Sequence, residues 1–184
     1  MAEAHSDDVT RRDFLYVATG SFAAVGAGFA AWPFVHQMNP AANVLAMATT
    51  EVDLTPIEKG QSIKVLWQGK VVFVRHRTEE EITAARAVPL DELKDKKAEN
   101  PSLKPDAPAT DENRAIKPEW LVVIGVCTHL GCIPLTNEGE YKGWFCPCHG
   151  SVYDTSGRIR KGPAPENLHV PPYAYKSDTT ILIG

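Results

Sequence analysis

Every cysteine in this 184-residue chain lies within one 22-residue stretch. Cys127-Thr128-His129-Leu130-Gly131-Cys132 is followed, thirteen residues on, by Cys146-Pro147-Cys148-His149-Gly150-Ser151. Each box offers a cysteine, a histidine two or three positions later, and one further cysteine. Thiolate and imidazole are soft metal donors. Such short spacing lets a single loop present both while Gly131, Pro147 and Gly150 turn the chain. Three readings stand side by side. The residues could meet by chance on two loops. They could form a structural zinc site, which takes four ligands of the six available. Or two cysteines and two histidines could hold an iron-sulfur cluster while the other cysteines, one from each box, form a disulfide.

Short strands must deliver these boxes. Trp120-Leu121-Val122-Val123-Ile124 is a continuous apolar run that reads as a buried strand leading to Cys127, and Tyr141 to Phe145 leads to Cys146. Upstream, Ser62–Trp67 and Lys70–Val74 flank Gln68-Gly69, a two-residue hairpin signal. Thr78-Glu79-Glu80-Glu81 has capping-box spacing and predicts a short helix through about Arg86, with Leu90 to Lys97 as a further helical candidate. Ala98 to Pro118 is polar, carries four prolines, and is expected to run over the surface. Thr180–Ile183 is expected to pair with Tyr173–Tyr175. His5, His76 and His169 have no cysteine nearby and read as surface residues. Arg158, Arg160 and Lys161 read as a solvated turn. The chain shows no internal repeat and no phosphate-binding glycine loop. The expected fold is mainly β: a small antiparallel domain on a single-helix anchor.

The anchor comes from a charge-free tract, Phe14 to Thr50. Its first 22 residues, FLYVATGSFAAVGAGFAAWPFV, would make a helix of roughly 33 Å, enough to cross a hydrocarbon core of about 30 Å. Thr10-Arg11-Arg12-Asp13-Phe14-Leu15 resembles the twin-arginine export signal. Ala46-Met47-Ala48 has the small residues of a cleavage site, but it lies about ten residues past an apolar run longer than the usual signal core of about 7–15 residues. A retained anchor is therefore expected, with Trp32 and His36 at its outer interface. Arg11 and Arg12 precede the span, which predicts a cytoplasmic N-terminus and an exported remainder. The uncharged stretch after the span reads as a tether. A net charge of -4 gives no basic footprint for nucleic acid.

The two boxes CTHLGC and CPCHGS resemble those of the Rieske iron-sulfur subunits of quinol:cytochrome c oxidoreductases, the respiratory cytochrome bc complexes of bacterial type. Gly162-Pro163-Ala164-Pro165 resembles the family's proline loop, and the signal, anchor and tether match its membrane-bound members. Within that family two histidines replace two cysteines on one iron of a [2Fe-2S] cluster.

The resemblance implies that Cys127 and Cys146 hold one iron and His129 and His149 the other. It implies a disulfide between Cys132 and Cys148, closing a loop of about 16 residues, worth around 3 kcal/mol in the chain-entropy model. Leu130 would cap the cluster, and Ser151 and Tyr153 would donate hydrogen bonds to its sulfurs. Such donors favour the reduced, more negative cluster.

The implied organisation is a cytoplasmic tail (1–13), a transmembrane anchor (14–37), a tether or hinge (38–50) and an exported Rieske-type sandwich (51–184) with its cluster-binding part at about 125–168. The implied function is transfer of an electron, coupled to a proton, from ubiquinol at the cytochrome b site to a c-type cytochrome, in a dimeric complex of the bacterial inner membrane. His149 and His129 would serve that step. The Rieske small subunit of another redox enzyme, such as arsenite oxidase, is the alternative, and a zinc-binding module the alternative from a different class.

Overall fold

The structure, a computed structural model, describes residues 10–42, 44, 48–104 and 106–184. Most of the expected tail, including His5, lies outside the described residues, as do parts of the tether and of the Ala46-Met47-Ala48 triplet. The chain divides into two compact units, Met1–Leu45 and Ala46–Gly184.

In the first unit, α1 spans Arg11–His36. Thr10 caps it, accepting the Asp13 backbone N–H while the Asp13 carboxylate accepts the Thr10 N–H. The two arginines thus form the first turn of the helix, a little before the expected span. No residue of α1 is buried, and it is the one described helix long and apolar enough to cross a membrane. A 26-residue helix is about 39 Å long. Such a surface is stable only when something apolar surrounds it, and lipid meets that need.

The second unit is built from three antiparallel sheets. The first orders its strands β1-β10-β9, with β1 at Thr50–Asp53, β9 at Tyr173–Ser177 and β10 at Thr180–Ile183. The expected pairing of the last two strands is present, with Leu182 opposite Ala174. The second sheet orders β2 (Ser62–Trp67), β3 (Lys70–His76) and β4 (Trp120–Ile124) in sequence. Gln68 and Gly69 join β2 to β3 at φ 48° and 75°. Two positive φ values are what a tight hairpin of matching twist requires. The third sheet is smaller and carries the boxes: β5 (Leu135–Thr136), β6 (Trp144–Cys146), β7 (Ser151–Tyr153) and β8 (Ile159–Lys161).

One core runs through all three sheets. Phe73, Leu121, Val123, Trp144, Tyr153, Ile159, Leu168, Ile181 and Ile183 are buried in it together with Cys127 and Cys146. The Phe73 and Trp144 rings, with centroids 5.9 Å apart, join the second sheet to the third. Where the chain enters this unit, the Trp67 indole N–H donates to the Ala48 carbonyl at 2.8 Å.

Several expectations are corrected. The helix after Thr78 forms as α2, Glu79–Arg86, with its capping box complete. Leu90 to Lys97 holds only a single 3-10 turn, Leu90–Glu92. The chain straightens after that turn because Asp95 and Lys97 give backbone carbonyls to the Asn167 side chain. The 98–118 excursion is a surface loop only in part: Leu103, Lys104, Glu112 and Ile116 are exposed, but Ala98, Asn100, Ala109, Asp111, Arg114 and Ala115 are buried.

Its anchor is Arg114, whose guanidinium donates to the carbonyls of Ser156 at 3.0 Å, Gly157 at 3.4 Å, Ala98 and Leu168. Arg77 and Asp111 form a buried ion pair beside Ser156. Arg158 is buried as well, bonded to the Asp154 carboxylate at 2.8 Å and to the Ala85 carbonyl at 2.7 Å, so it belongs to no solvated turn. His76 stacks on Trp120 at 4.1 Å and is half-buried, whereas His169 is exposed beside Glu166.

Candidate metal centre

Each box closes on itself in the same way. In the first, the Gly131 N–H donates to the Cys127 carbonyl at 2.9 Å, and in the second, the Gly150 N–H donates to the Cys146 carbonyl at 3.0 Å. Both glycines sit at positive φ, 80° and 75°, where a side chain would be strained. The cysteine at the root of each turn is thereby fixed by main-chain bonds. The Cys127 N–H also donates to the Cys132 carbonyl at 2.8 Å, tying the first box across its width.

The two turns meet at one end of the third sheet. Cys127 and Cys146 are both 2% exposed, while His129 is half-buried and His149 exposed. The two imidazoles stand edge to face with centroids 4.6 Å apart. His129 Nδ1 is buried and has no hydrogen-bond partner. An orphaned imidazole nitrogen is costly unless something else binds it, and a metal ion is the usual occupant. The Sγ atoms of Cys132, Cys146 and Cys148 lie within 4.8 Å of one another. The donor set, two buried sulfurs and two adjacent imidazoles carried on the same two turns, fits a [2Fe-2S] group of mixed ligation.

Hydroxyls surround the buried sulfurs. Tyr153 donates to Cys127 Sγ at 3.3 Å and accepts the Thr128 N–H at 3.3 Å. Burial pushes the Cys127 thiol up, but donation from Tyr153, the His129 backbone, Cys146 and Ser151 outweighs it, and the thiol lies below its ordinary value. The Cys146 thiol goes the other way, to about 12, through burial and its own donation to Cys127. Burial, reinforced by that hydrogen bond to Cys127, also raises the Tyr153 phenol, which keeps it a donor. Ser151 is fully buried and its Oγ accepts the Ala164 N–H at 3.2 Å. Of the two hydroxyls, that of Tyr153 reaches a cysteine sulfur, and Ser151 lies opposite Cys146 in the β6–β7 pair.

The Gly162–Pro165 loop covers the second box closely. A Cβ at Gly162 would lie 2.5 Å from the Ser151 Cα and 2.6 Å from the Gly150 carbonyl oxygen, so only glycine fits there. Ala164 is buried under the loop, while Pro163 and Pro165 face outward. Leu130 is 69% exposed, and Ile133 and Leu135, three and five positions on, are about half exposed.

These last two residues escaped the sequence reading, as did Thr128. Thr128 ties the first box to Tyr153 and, through its Oγ1, to the Glu166 carbonyl at 2.7 Å. Its position inside the CTHLGC box was the available signal.

Two family models match the chain: the ubiquitinol-cytochrome c reductase Fe-S subunit TAT signal over residues 1–41 and the Rieske [2Fe-2S] domain over residues 102–173. The chain is 54% identical over 188 residues to the ubiquinol-cytochrome c reductase iron-sulfur subunit of Rhodospirillum rubrum, covering 100% of the chain and 96% of that relative. It is 56% identical over 182 residues to the subunit of the same name from Bradyrhizobium diazoefficiens, with 97% of each covered. A solved hyperthermophilic respiratory Complex III contains a chain that is similar at 28% identity and a TM-score of 0.52, covering 90% of this chain and 98% of that one.

Proposed function

The chain belongs to the family of ubiquinol-cytochrome c reductase iron-sulfur subunits, and from that premise we propose which of its residues carry the electron and the proton. It is an electron-transfer subunit of that oxidoreductase, has one [2Fe-2S] cluster, and works within the cytochrome bc complex on a membrane anchor. Relatives matching the chain end to end leave no support for the arsenite oxidase or zinc-module alternatives.

In the proposed site, Cys127 and Cys146 hold one iron, His129 and His149 hold the other, and Cys132 and Cys148 form a disulfide clamping the two boxes. When bound, the cluster would supply a one-electron acceptor whose imidazole ligands can each take up a proton on the outer nitrogen as the electron arrives. The observation that carries this assignment is the pairing of two buried sulfurs with two edge-to-face imidazoles, one of which has an orphaned Nδ1.

With Nδ1 of His129 turned inward, its Nε2 is left for the outside, and the proposed ligation asks the same orientation of His149. His149 is the more exposed of the two. It is the ring that meets ubiquinol, accepting a hydrogen bond and then the proton of the quinol hydroxyl at Nε2. Leu130, Ile133 and Leu135 form an apolar rim around that contact and exclude water from it. Tyr153 and Ser151 hold their hydroxyls toward the sulfurs and make reduction easier.

The partners are the cytochrome b and c-type cytochrome subunits of a dimeric complex. Residues 1–13 form the cytoplasmic tail and 14–37 the anchor, and 51–184 is the exported domain, on the periplasmic side of the bacterial inner membrane. The positive charge of Arg11 and Arg12 supports that orientation. The expected hinge shortens at its far end, since Ala48 is held by Trp67 and Thr50 begins β1, and residues 38–47 serve as the hinge on which the domain moves between its two redox partners.

The test is EPR on membranes containing the chain. A reduced-state cluster signal whose line shape changes on adding a quinone-site inhibitor supports the assignment of the tip to ubiquinol. A signal indifferent to every such inhibitor refutes it.

A further inference from the structure

Lys94 and Asp95 belong to no motif, yet they grip both ends of the Gly162–Pro165 loop. The Lys94 ammonium donates to the Gly162 carbonyl at 3.0 Å and to the Ala164 carbonyl at 2.8 Å. The Asp95 carboxylate accepts the Asn167 N–H at 2.8 Å, and the Asn167 side chain donates to the carbonyls of Asp95 at 3.2 Å and Lys97 at 2.8 Å. Between the two grips lies Ala164, fully buried, with its N–H on Ser151 Oγ.

The carbonyls held by Lys94 belong to the peptides on either side of the one whose N–H meets Ser151. Pro163 and Pro165 fix their own φ angles, and Pro165 also restricts Ala164. Holding both carbonyls therefore fixes the direction of that N–H. A serine hydroxyl has one proton to give. With the Ala164 N–H on its oxygen, the Ser151 proton is left for the sulfur side of the site, where Ser151 stands directly across the β6–β7 pair from Cys146. Bonds in such a chain strengthen one another.

We propose that Lys94 is a positioning residue for the redox centre: by fixing the Ala164 peptide it aims the Ser151 hydroxyl at the cluster sulfurs and raises the midpoint potential. This rests on the assignment of Cys127, His129, Cys146 and His149 as ligands. A surface lysine that only stabilises a loop would change melting but not potential. A lysine acting merely as a nearby positive charge would change potential with or without Ser151.

The experiment is a double-mutant cycle on the full-length chain in membranes, titrated potentiometrically by EPR, with Lys94→Met, Ser151→Ala and the pair. Lys94→Met is expected to shift the oxidation equilibrium at least threefold toward the oxidised form. That is about 28 mV, given 59 mV per decade for one electron. The cluster signal per chain is expected to stay unchanged, and the shift should vanish in the Ser151→Ala background. No shift, or the same shift in both backgrounds, would overturn the proposal.

If Ser151→Ala loses its cluster, the Lys94→Met shift is read instead at two ionic strengths. Between 0.01 and 1 M the Debye length falls from about 30 to about 3 Å. A shift that persists supports positioning, and one that disappears at high salt overturns it. Absence of any cluster signal from the unaltered chain would overturn the ligand assignment, and the proposal with it.

Discussion

Replacing Tyr153 with Phe removes one hydroxyl from a fully buried side chain and leaves its shape almost intact. That hydroxyl donates to Cys127 Sγ at 3.3 Å and accepts the Thr128 N–H at 3.3 Å. The donated bond favours whichever redox state carries more negative charge on sulfur, which is the reduced one. A typical net value is about 0.5–1.5 kcal/mol, and the upper half of that range suits a bond to a charged sulfur. Counted wholly toward the reduced state, that is a ceiling of about 45–65 mV, since 59 mV is tenfold for one electron. The midpoint potential of Tyr153→Phe should therefore fall by tens of millivolts.

The accepted bond is lost too. An unpaired Thr128 N–H costs about 1 kcal/mol, and the melting temperature should drop by about 4 °C. Potentiometric titration of the membrane-bound chain, followed by EPR, reads the first effect, and calorimetry reads the second. A full cluster signal with an unchanged midpoint potential would refute the reasoning, because the hydroxyl would then be packing and not tuning.

Three further predictions follow from the same geometry. Cys148→Ser removes the proposed clamp with Cys132. It should cost about 3 kcal/mol and make the cluster labile, with alkylation under denaturing conditions showing one more reactive thiol than the unaltered chain. Prolines at Ala42 and Val44 should stiffen the tether, slowing steady-state quinol:cytochrome c turnover while the EPR signal stays whole, and wild-type turnover would count against a moving domain. Arg114→Leu leaves the carbonyls it serves without a donor and should destabilise the exported domain by about 3–5 kcal/mol in a urea titration.

What could be read from the sequence was local, and what could not was long-range. The ligand boxes were visible because each is closed by a turn only five residues long, so the spacing itself carries the geometry. The strand pairs β2–β3 and β9–β10 were visible because two-residue turns leave little freedom in register. α1 was visible because it needs no partner within the chain.

The arginines were misread for the opposite reason. Arg114 and Arg158 are satisfied by carbonyls of residues 16 to 73 positions away, and nothing in a charged side chain announces that. For this reason the 98–118 segment looked like surface although it packs over the cluster-bearing sheet's loops. The grip of Lys94 on the proline loop spans 68 and 70 positions and was equally silent.

The most direct test of the central claim is pulsed EPR on the reduced, membrane-bound chain with 15N-labelled histidine, alongside iron and acid-labile sulfide analysis. Two irons and two sulfides per chain are expected, with two histidine nitrogens coupled to the electron spin, both lost or altered only when His129 or His149 is replaced. Couplings that survive replacement of both histidines, or zinc in place of iron, would contradict it.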